Sequence, residues 1–383
     1  MKQNRIALAL AAPALAVFIA LLISLLVLIV SGNHPGDVWT IVHTKGFTLR
    51  TLILTLNRAA PYYLSGVAVA IGFKMNLFNI GVEGQYRLAA LVAAAAGAAV
   101  NIPGPLHVVF ILVVAMGVGC LWASIAAILR VTRGVSEVIA TIMLNAIASG
   151  LTAFMLTRWF KGGKTGTTDY TVGTKPFKAS GALPTLDRLV TGVGLKLPQG
   201  THFQAYILIA ALIGIGYWLL VWRTRLGYDL RASGLNPEAA RASGVSAKRM
   251  VIIAMGLSGA IAGLVGLSTM LSETPHRYTD DIVTAGFGFT GIAVALLGRN
   301  NPVGIAIGAL LWAFMDILRT PLAQAELPPQ IVTILQGTVV LSVVIAYELV
   351  RRIAERREAT ELARASRDAP PPEPEPSPAG ASA

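Results

Sequence analysis

Leu106-His107-Val108-Val109-Phe110-Ile111-Leu112-Val113-Val114-Ala115-Met116-Gly117-Val118-Gly119-Cys120-Leu121-Trp122-Ala123-Ser124-Ile125-Ala126-Ala127-Ile128-Leu129 contains no Asp, Glu, Lys or Arg and ends against Arg130 and Arg133. About 20 apolar residues of helix cross a hydrocarbon core, so this run is long enough to span one, and its basic flank marks a membrane face. Comparable runs cover residues 6–30, 51–73, 88–100 with a polar lead-in from Asn79, 135–156, 203–222, 251–271, 282–298, 303–317 and 331–350. They predict an all-α polytopic membrane protein of about ten spans, a transmembrane domain over residues 1–350.

Composition agrees. Of 383 residues, 55% are hydrophobic and 13% charged, against about a quarter charged in soluble proteins, and the mean hydropathy is +0.67. A single soluble globular domain is excluded. The net charge of +12 follows from basic cytoplasmic loops, and no basic stretch is interleaved with aromatics, which argues against nucleic acid. The lone Cys120 cannot form an intrachain disulfide. Residues 6–30 follow Lys2 and Arg5 but are too long for a signal-peptide core.

Lys and Arg also set the orientation. Arg130 and Arg133; Arg223, Arg225, Arg231, Arg241, Lys248 and Arg249; Arg299; and Arg351, Arg352, Arg356 and Arg357 fall on the same side as Lys2 and Arg5. That side is the cytoplasm, so both termini are expected inside. Residues 158–202 are then extracytoplasmic despite Lys161, Lys164, Lys175, Lys178, Arg188 and Lys196. From Ala359 the chain is Ala, Glu and Arg, then Pro-Glu rich, so residues 359–383 are expected to be disordered. No repeat is visible by residue identity; a structural repeat hidden beneath unrelated sequence is expected.

Several chemistries lack their residues. Gly163-Lys164-Thr165 ends like a Walker A loop, but Arg158 stands where its first glycine belongs. His34, His43, His107, His202 and His276 show no metal spacing, and no HExxH helix or serine-nucleophile motif occurs. No catalytic residues, metal or cofactor are expected.

The polar stretch Phe78-Asn79-Ile80-Gly81-Val82-Glu83-Gly84-Gln85, with Arg87 one turn beyond Glu83, lies between apolar runs. It reads either as a solvated cytoplasmic turn or as a broken helix whose Asn79, Glu83 and Gln85 face a translocation route. Glu137 and Asn145 lie two turns apart on one predicted helix; Asn145 is a pathway candidate, while Glu137 has Arg133 as a possible partner. Gly286, Gly288 and Gly291 permit close helix packing or local unwinding, and Phe287 and Phe289 either stack on a ring or face lipid.

The loop over residues 223–250 is the most punctuated segment. Asn236 is placed to cap a helix opening at Pro237 and running through Glu238, Ala239, Ala240 and Arg241, and Gly244 suits the left-handed residue that closes it. A simple span-to-span link needs no such helix, which points to docking of a soluble partner.

The stretch from Phe78 to Gln85, the run from Ser136 to Asn145, the Gly234 to Gly244 loop and the Gly286 to Asn300 segment together resemble permeases of ABC importers. The similarity is to the ribose and branched-chain-amino-acid type, in the nucleoside and simple-sugar branch, and runs from about Arg50 to Tyr347. The resemblance implies a bacterial multi-pass cytoplasmic-membrane protein working with two ATPase subunits, a second homologous permease and an extracytoplasmic binding protein or lipoprotein. It implies that the Gly234 to Gly244 element is the coupling helix seated in the ATPase. The rival reading is an ion-gradient carrier of a small polar solute with Glu83, Glu137 or Asp316 as coupling carboxylate.

Overall fold

The computed structural model describes residues 18–32, 34–162, 172–192, 194, 196–279, 282 and 285–368. Part of the first expected span, the Gly163-Lys164-Thr165 tripeptide and residues 369–383 lie outside them. The chain divides into two compact units, one of residues 28–336 and one comprising residues 1–27 with 337–383. The second holds the beginning of α1 (Phe18–Val30) and most of α16 (Gln330–Asp368). Helix α16 continues into residues 359–368, the first part of the segment expected to be disordered, where good helix formers (Ala, Leu, Glu and Arg) make up seven of the ten residues.

Among the described residues, six helices are long and apolar enough to cross a membrane, as an all-α polytopic fold requires. They are α5 (Gly104–Arg133), α6 (Glu137–Met155, extended by a π turn to Phe160), α8 (Tyr206–Arg223), α11 (Ala247–Leu264), α14 (Pro302–Ile317, continued by α15, Arg319–Gln324) and α16. Counting α1 with α2 (Pro35–Ile41 and its π turn to Gly46) as one span gives seven, fewer than the expected ten. The remainder includes helices of a different kind. α3 (Leu49–Lys74) and α4 (Val82–Ala99) have 26 and 18 residues, long enough at about 1.5 Å per residue. Most of their side chains pack on other helices rather than lipid, so they tolerate Arg58, Glu83 and Arg87 within them. α13 (Phe287–Leu297) has 11 residues, about 16 Å, so it replaces the longer span expected over 282–298.

Local chemistry sets the helix ends. The Thr48 hydroxyl accepts the Thr51 amide at 3.2 Å to open α3. Gly134, at φ 67°, closes α5, its amide donating to the Arg130 carbonyl at 3.1 Å. Asn301 caps α14 ahead of Pro302.

Within residues 28–336, α3 packs against α8, α11, α13 and α14, while α4 packs against α5, α6 and α11. α5 and α11 meet over glycine: a Cβ on Gly119 would fall on the Gly259 carbonyl oxygen.

The described parts of the segment 158–202 fold over one end of this bundle. Phe177 N–H donates to His276 O at 3.0 Å, Leu183 N–H to Leu271 O at 2.7 Å, and Leu186 N–H to Phe203 O at 2.7 Å. Asn57 Nδ2 ties the end of the segment down through His202 O at 2.8 Å. The short helices α7 (Asp187–Gly192) and α12 (Leu267–Ser272) lie in and beside this cover. The other end carries α9 (Arg225–Leu235) and α10 (Pro237–Ala242).

Candidate functional site

The polar stretch between α3 and α4 is buried and bonded to protein groups. Asn79, Glu83 and Gln85 are 1%, 2% and 1% exposed. Asn79 Nδ2 donates to Gln85 Oε1 at 3.0 Å and Ser258 Oγ at 2.8 Å; Gln85 Nε2 and the Gly81 amide donate to Asn79 Oδ1, each at 3.0 Å. Asn145 reaches across from α6, accepting the Gly84 amide at 2.8 Å and donating to Ile80 O at 2.9 Å. A buried polar group is costly unless paired, and each of these four has partners. Helix α4 starts at Val82, which puts Glu83 in its first turn rather than in a solvated loop.

Glu83 is the hub of the brace. Its Oε2 accepts the Gly288 amide of α13 at 2.8 Å, and its Oε1 accepts the Tyr86 hydroxyl at 2.9 Å and pairs with Arg87. Arg87 Nη1 continues to Ser149 Oγ at 3.0 Å. Glu137 pairs with Arg130 and accepts the Phe78 amide at 3.3 Å; the expected partner, Arg133, is exposed. The left-handed Gly134, just beyond both arginines, ends α5 and turns the chain toward α6.

Phe287 lines a cavity of about 730 Å³ at the end of the bundle covered by residues 158–202. Phe289 is 55% exposed and does not line it, since residues two apart on a helix face different ways. Asn79, Glu83, Gln85 and Asn145 do not line it. Its polar centre is a cluster that the sequence reading did not assemble. Asp316 Oδ2 accepts Arg58 Nε and the Tyr62 hydroxyl, both at 2.9 Å, and Oδ1 lies 3.0 Å from Arg319 Nε. Arg319 Nη2 donates to Gln336 Oε1 at 3.1 Å. The Arg58 guanidinium lies 5.1 Å from the centre of the Phe287 ring, whose edge-on neighbours are Tyr62 at 5.3 Å and Tyr86 at 5.9 Å.

Arg58 and Tyr62 share a face because they are four apart on α3. The signal for them was in the sequence: a lone Arg inside an apolar run is a functional candidate by default, with Asp316 inside another run as its counter-charge. Trp312 adds a further aromatic to the lining. A second cavity of about 510 Å³, holding Asn57, Gln204 and Ser268, shares Arg58 and Asp316. Aromatic faces beside planar hydrogen-bonding groups suit a flat or polyhydroxylated ring. Among the described residues, no group of three or more His, Cys, Asp or Glu could hold a metal ion.

Lys74, at the far end of α3, lies 16 residues beyond Arg58, about 24 Å along the helix. There the capped loop begins. Asn236 Oδ1 accepts the Glu238 and Ala239 amides at 3.0 and 3.1 Å, opening α10 at Pro237. At its end Gly244, at φ 83°, donates to Arg241 O at 3.0 Å, and Val245 donates to Ala240 O at 2.9 Å, the paired bonds of a Schellman motif. Ala240 is buried, whereas Asn236, Pro237, Glu238, Ala239 and Arg241 are exposed. The preceding helix α9, capped by Thr224, was not anticipated from sequence. Gly234 seats it on α3: a Cβ there would lie 2.7 Å from the Met75 backbone.

Comparison with known proteins adds independent findings. The family model described as branched-chain amino acid transport system / permease component matches residues 51–344. The guanosine ABC transporter permease protein NupP of Bacillus subtilis is 32% identical over 88% of this chain and 93% of its own length. The glucose ABC transporter permease protein TsgB13 of Haloferax volcanii is 31% identical over 86% of this chain and 85% of its own. The nucleoside ABC transporter permease protein NupB of Lactococcus lactis subsp. cremoris is 29% identical over 88% and 90%. The chain belongs to the branched-chain amino acid transport system permease family, and is a multi-pass membrane permease of an ATP-driven ABC importer.

Proposed function

We propose that this permease imports a nucleoside or a simple sugar and that its passenger moves by way of the Arg58–Asp316–Phe287 cavity. The observation that carries the reading is the pairing, in one cavity, of an aromatic wall with planar charged and amide groups. Phe287, Tyr62 and Trp312 offer apolar faces to a base or a sugar ring, while Asp316, Arg58 and Gln336 offer in-plane hydrogen bonds to hydroxyls. The nearby relatives named for guanosine, nucleoside and glucose support this class.

The same reading extends to the rest of the assembly. Gly234, Asn236, Pro237, Glu238, Ala239, Ala240, Arg241 and Gly244 form the cytoplasmic element that docks on the ATPase, with both termini on that side. Two ATPase subunits, a second permease and an extracytoplasmic binding protein complete the importer. Asn79, Glu83, Gln85 and Asn145 brace the route, Phe287 lines it, and the exposed Phe289 faces lipid or the second permease.

The test is uptake of labelled guanosine, glucose and leucine by cells expressing the full chain with its partner subunits. Guanosine or glucose should accumulate in an ATP-dependent manner, and Phe287→Ala should weaken that uptake. Leucine transport alone would overturn the substrate assignment.

A further inference from the structure

Helix α13 starts without a cap of its own. Gly286 stands before it at φ 64° and has no side chain to offer, yet the first amides of a helix need acceptors. Glu83 supplies one from α4, 205 positions away in sequence, by accepting the Gly288 amide at 2.8 Å. Its carboxylate meets the positive end of the α13 dipole. Tyr86 and Arg87 fix the other carboxylate oxygen, so the group has little freedom to turn. Contact is close because residue 288 is glycine: a Cβ there would lie 2.6 Å from Glu83 Cα. From the other side, the Ser65 hydroxyl of α3 donates to the Phe287 carbonyl at 2.7 Å.

Phe287 is therefore held between two grips, one on its carbonyl and one on the next amide, and its ring forms cavity wall between Tyr62 and Tyr86. Glu83 does not line the cavity. We propose that Glu83 is a positioning residue: acting through the Gly288 amide, it holds the first turn of α13 and so sets how far the Phe287 ring projects toward a base or sugar in the cavity.

This inference rests on the cavity being the route of the passenger, and the experiment separates the two. The full chain, in a Cys120→Ser background carrying Thr290→Cys, is expressed with its partner subunits. Thr290 lines the cavity one turn into α13. The rate at which a membrane-impermeant thiol reagent modifies the introduced thiol reports where α13 lies. Glu83→Leu, which removes the acceptor, should change that rate by about threefold or more and raise the apparent KM for guanosine or glucose about tenfold, with Vmax per inserted protein kept. Glu83→Gln keeps one acceptor oxygen for the Gly288 amide while giving up the pairing with Arg87, and should shift both values less than Glu83→Leu does.

An unchanged thiol rate in Glu83→Leu, or equal changes in the Leu and Gln variants, overturns the proposal. Should Glu83→Leu fail to insert, Ser65→Ala loosens the other grip and must shift the thiol rate; no shift there also overturns it. A thiol rate that responds to Glu83→Leu while Phe287→Ala leaves guanosine and glucose uptake untouched keeps the positioning role and removes the cavity as the route.

Discussion

Asp316→Asn keeps the shape of the cavity's central side chain and removes its charge. In the native protein that carboxylate accepts Arg58 Nε at 2.9 Å and the Tyr62 hydroxyl at 2.9 Å, and pairs with Arg319 at 3.0 Å. Its side chain is 14% exposed, those of Arg58 and Arg319 32% and 39%. A shielded charge-assisted hydrogen bond contributes about 1.5–3 kcal/mol, a water-exposed ion pair about 0–1. With roughly a third of each guanidinium open to water, about 1 kcal/mol suits the Arg58 bond and about 0.5 the Arg319 pair. Their sum, about 1.5 kcal/mol, corresponds to about tenfold in an equilibrium constant.

The expected outcome is a loss of about 1.5 kcal/mol in the stability of the purified complex and, because the passenger binds beside the loosened cluster, a raised apparent KM at unchanged protein level and ATPase association. The assay is uptake across a substrate concentration series, normalised to inserted protein, beside thermal stability of the purified complex in detergent. Asp316→Leu, which removes the carboxylate partner of both guanidinium groups and leaves Arg319 only Gln336, should be worse in both measurements. A KM for Asp316→Asn within twofold of the native value, at normal expression, would refute the reasoning that places the passenger beside this cluster.

Gly244→Glu should uncouple the transporter without unfolding it. Nothing lies within 4 Å of a Cβ at this position, so the structural cost is only the left-handed backbone, about 1–2 kcal/mol; substrate-stimulated ATP hydrolysis and ATPase co-purification at native levels would exclude the docking role. Gly119→Leu should abolish stable insertion, since α5 cannot then approach the Gly259 backbone of α11; detergent-stable protein at native yield would contradict that packing. Deleting Asp368 to Ala383 should leave uptake within about twofold, for it removes no apolar surface, as transport at matched expression will show. Asp187, in the cover segment, is opposed by burial, but hydrogen bonds from His202, the Phe203 amide and Thr185 outweigh it and hold its carboxyl below the usual range. A depressed carboxylate stabilises above its unfolded pKa, and the contribution disappears as pH falls through the folded value. Proteolysis of the 158–202 segment should therefore accelerate on acidification below the ordinary Asp range, and Asp187→Asn should remove that pH dependence.

Apolar length and basic flanks are local properties, so sequence by itself determined the all-α membrane class, the basic loop faces and the capped α10, whose Asn236, Pro237 and Gly244 act within a single turn of their neighbours. It also identified Asn79, Glu83, Gln85 and Asn145 as unusual, because polar groups between apolar runs require partners. Which partners was not local. Glu83 bonds Gly288, and Arg58 bonds Asp316, more than 200 positions apart in each case, and such pairings exist only once α3, α4, α13 and α14 pack together. The same holds for Arg130, which displaces Arg133 as the partner of Glu137 through a chain reversal at Gly134. Tertiary structure alone therefore decided that the Asn79–Gln85 stretch braces the bundle and that the polar cavity is centred on Asp316: a periodicity shows that a side chain needs a partner, but only the packed helices bring one within about 3 Å.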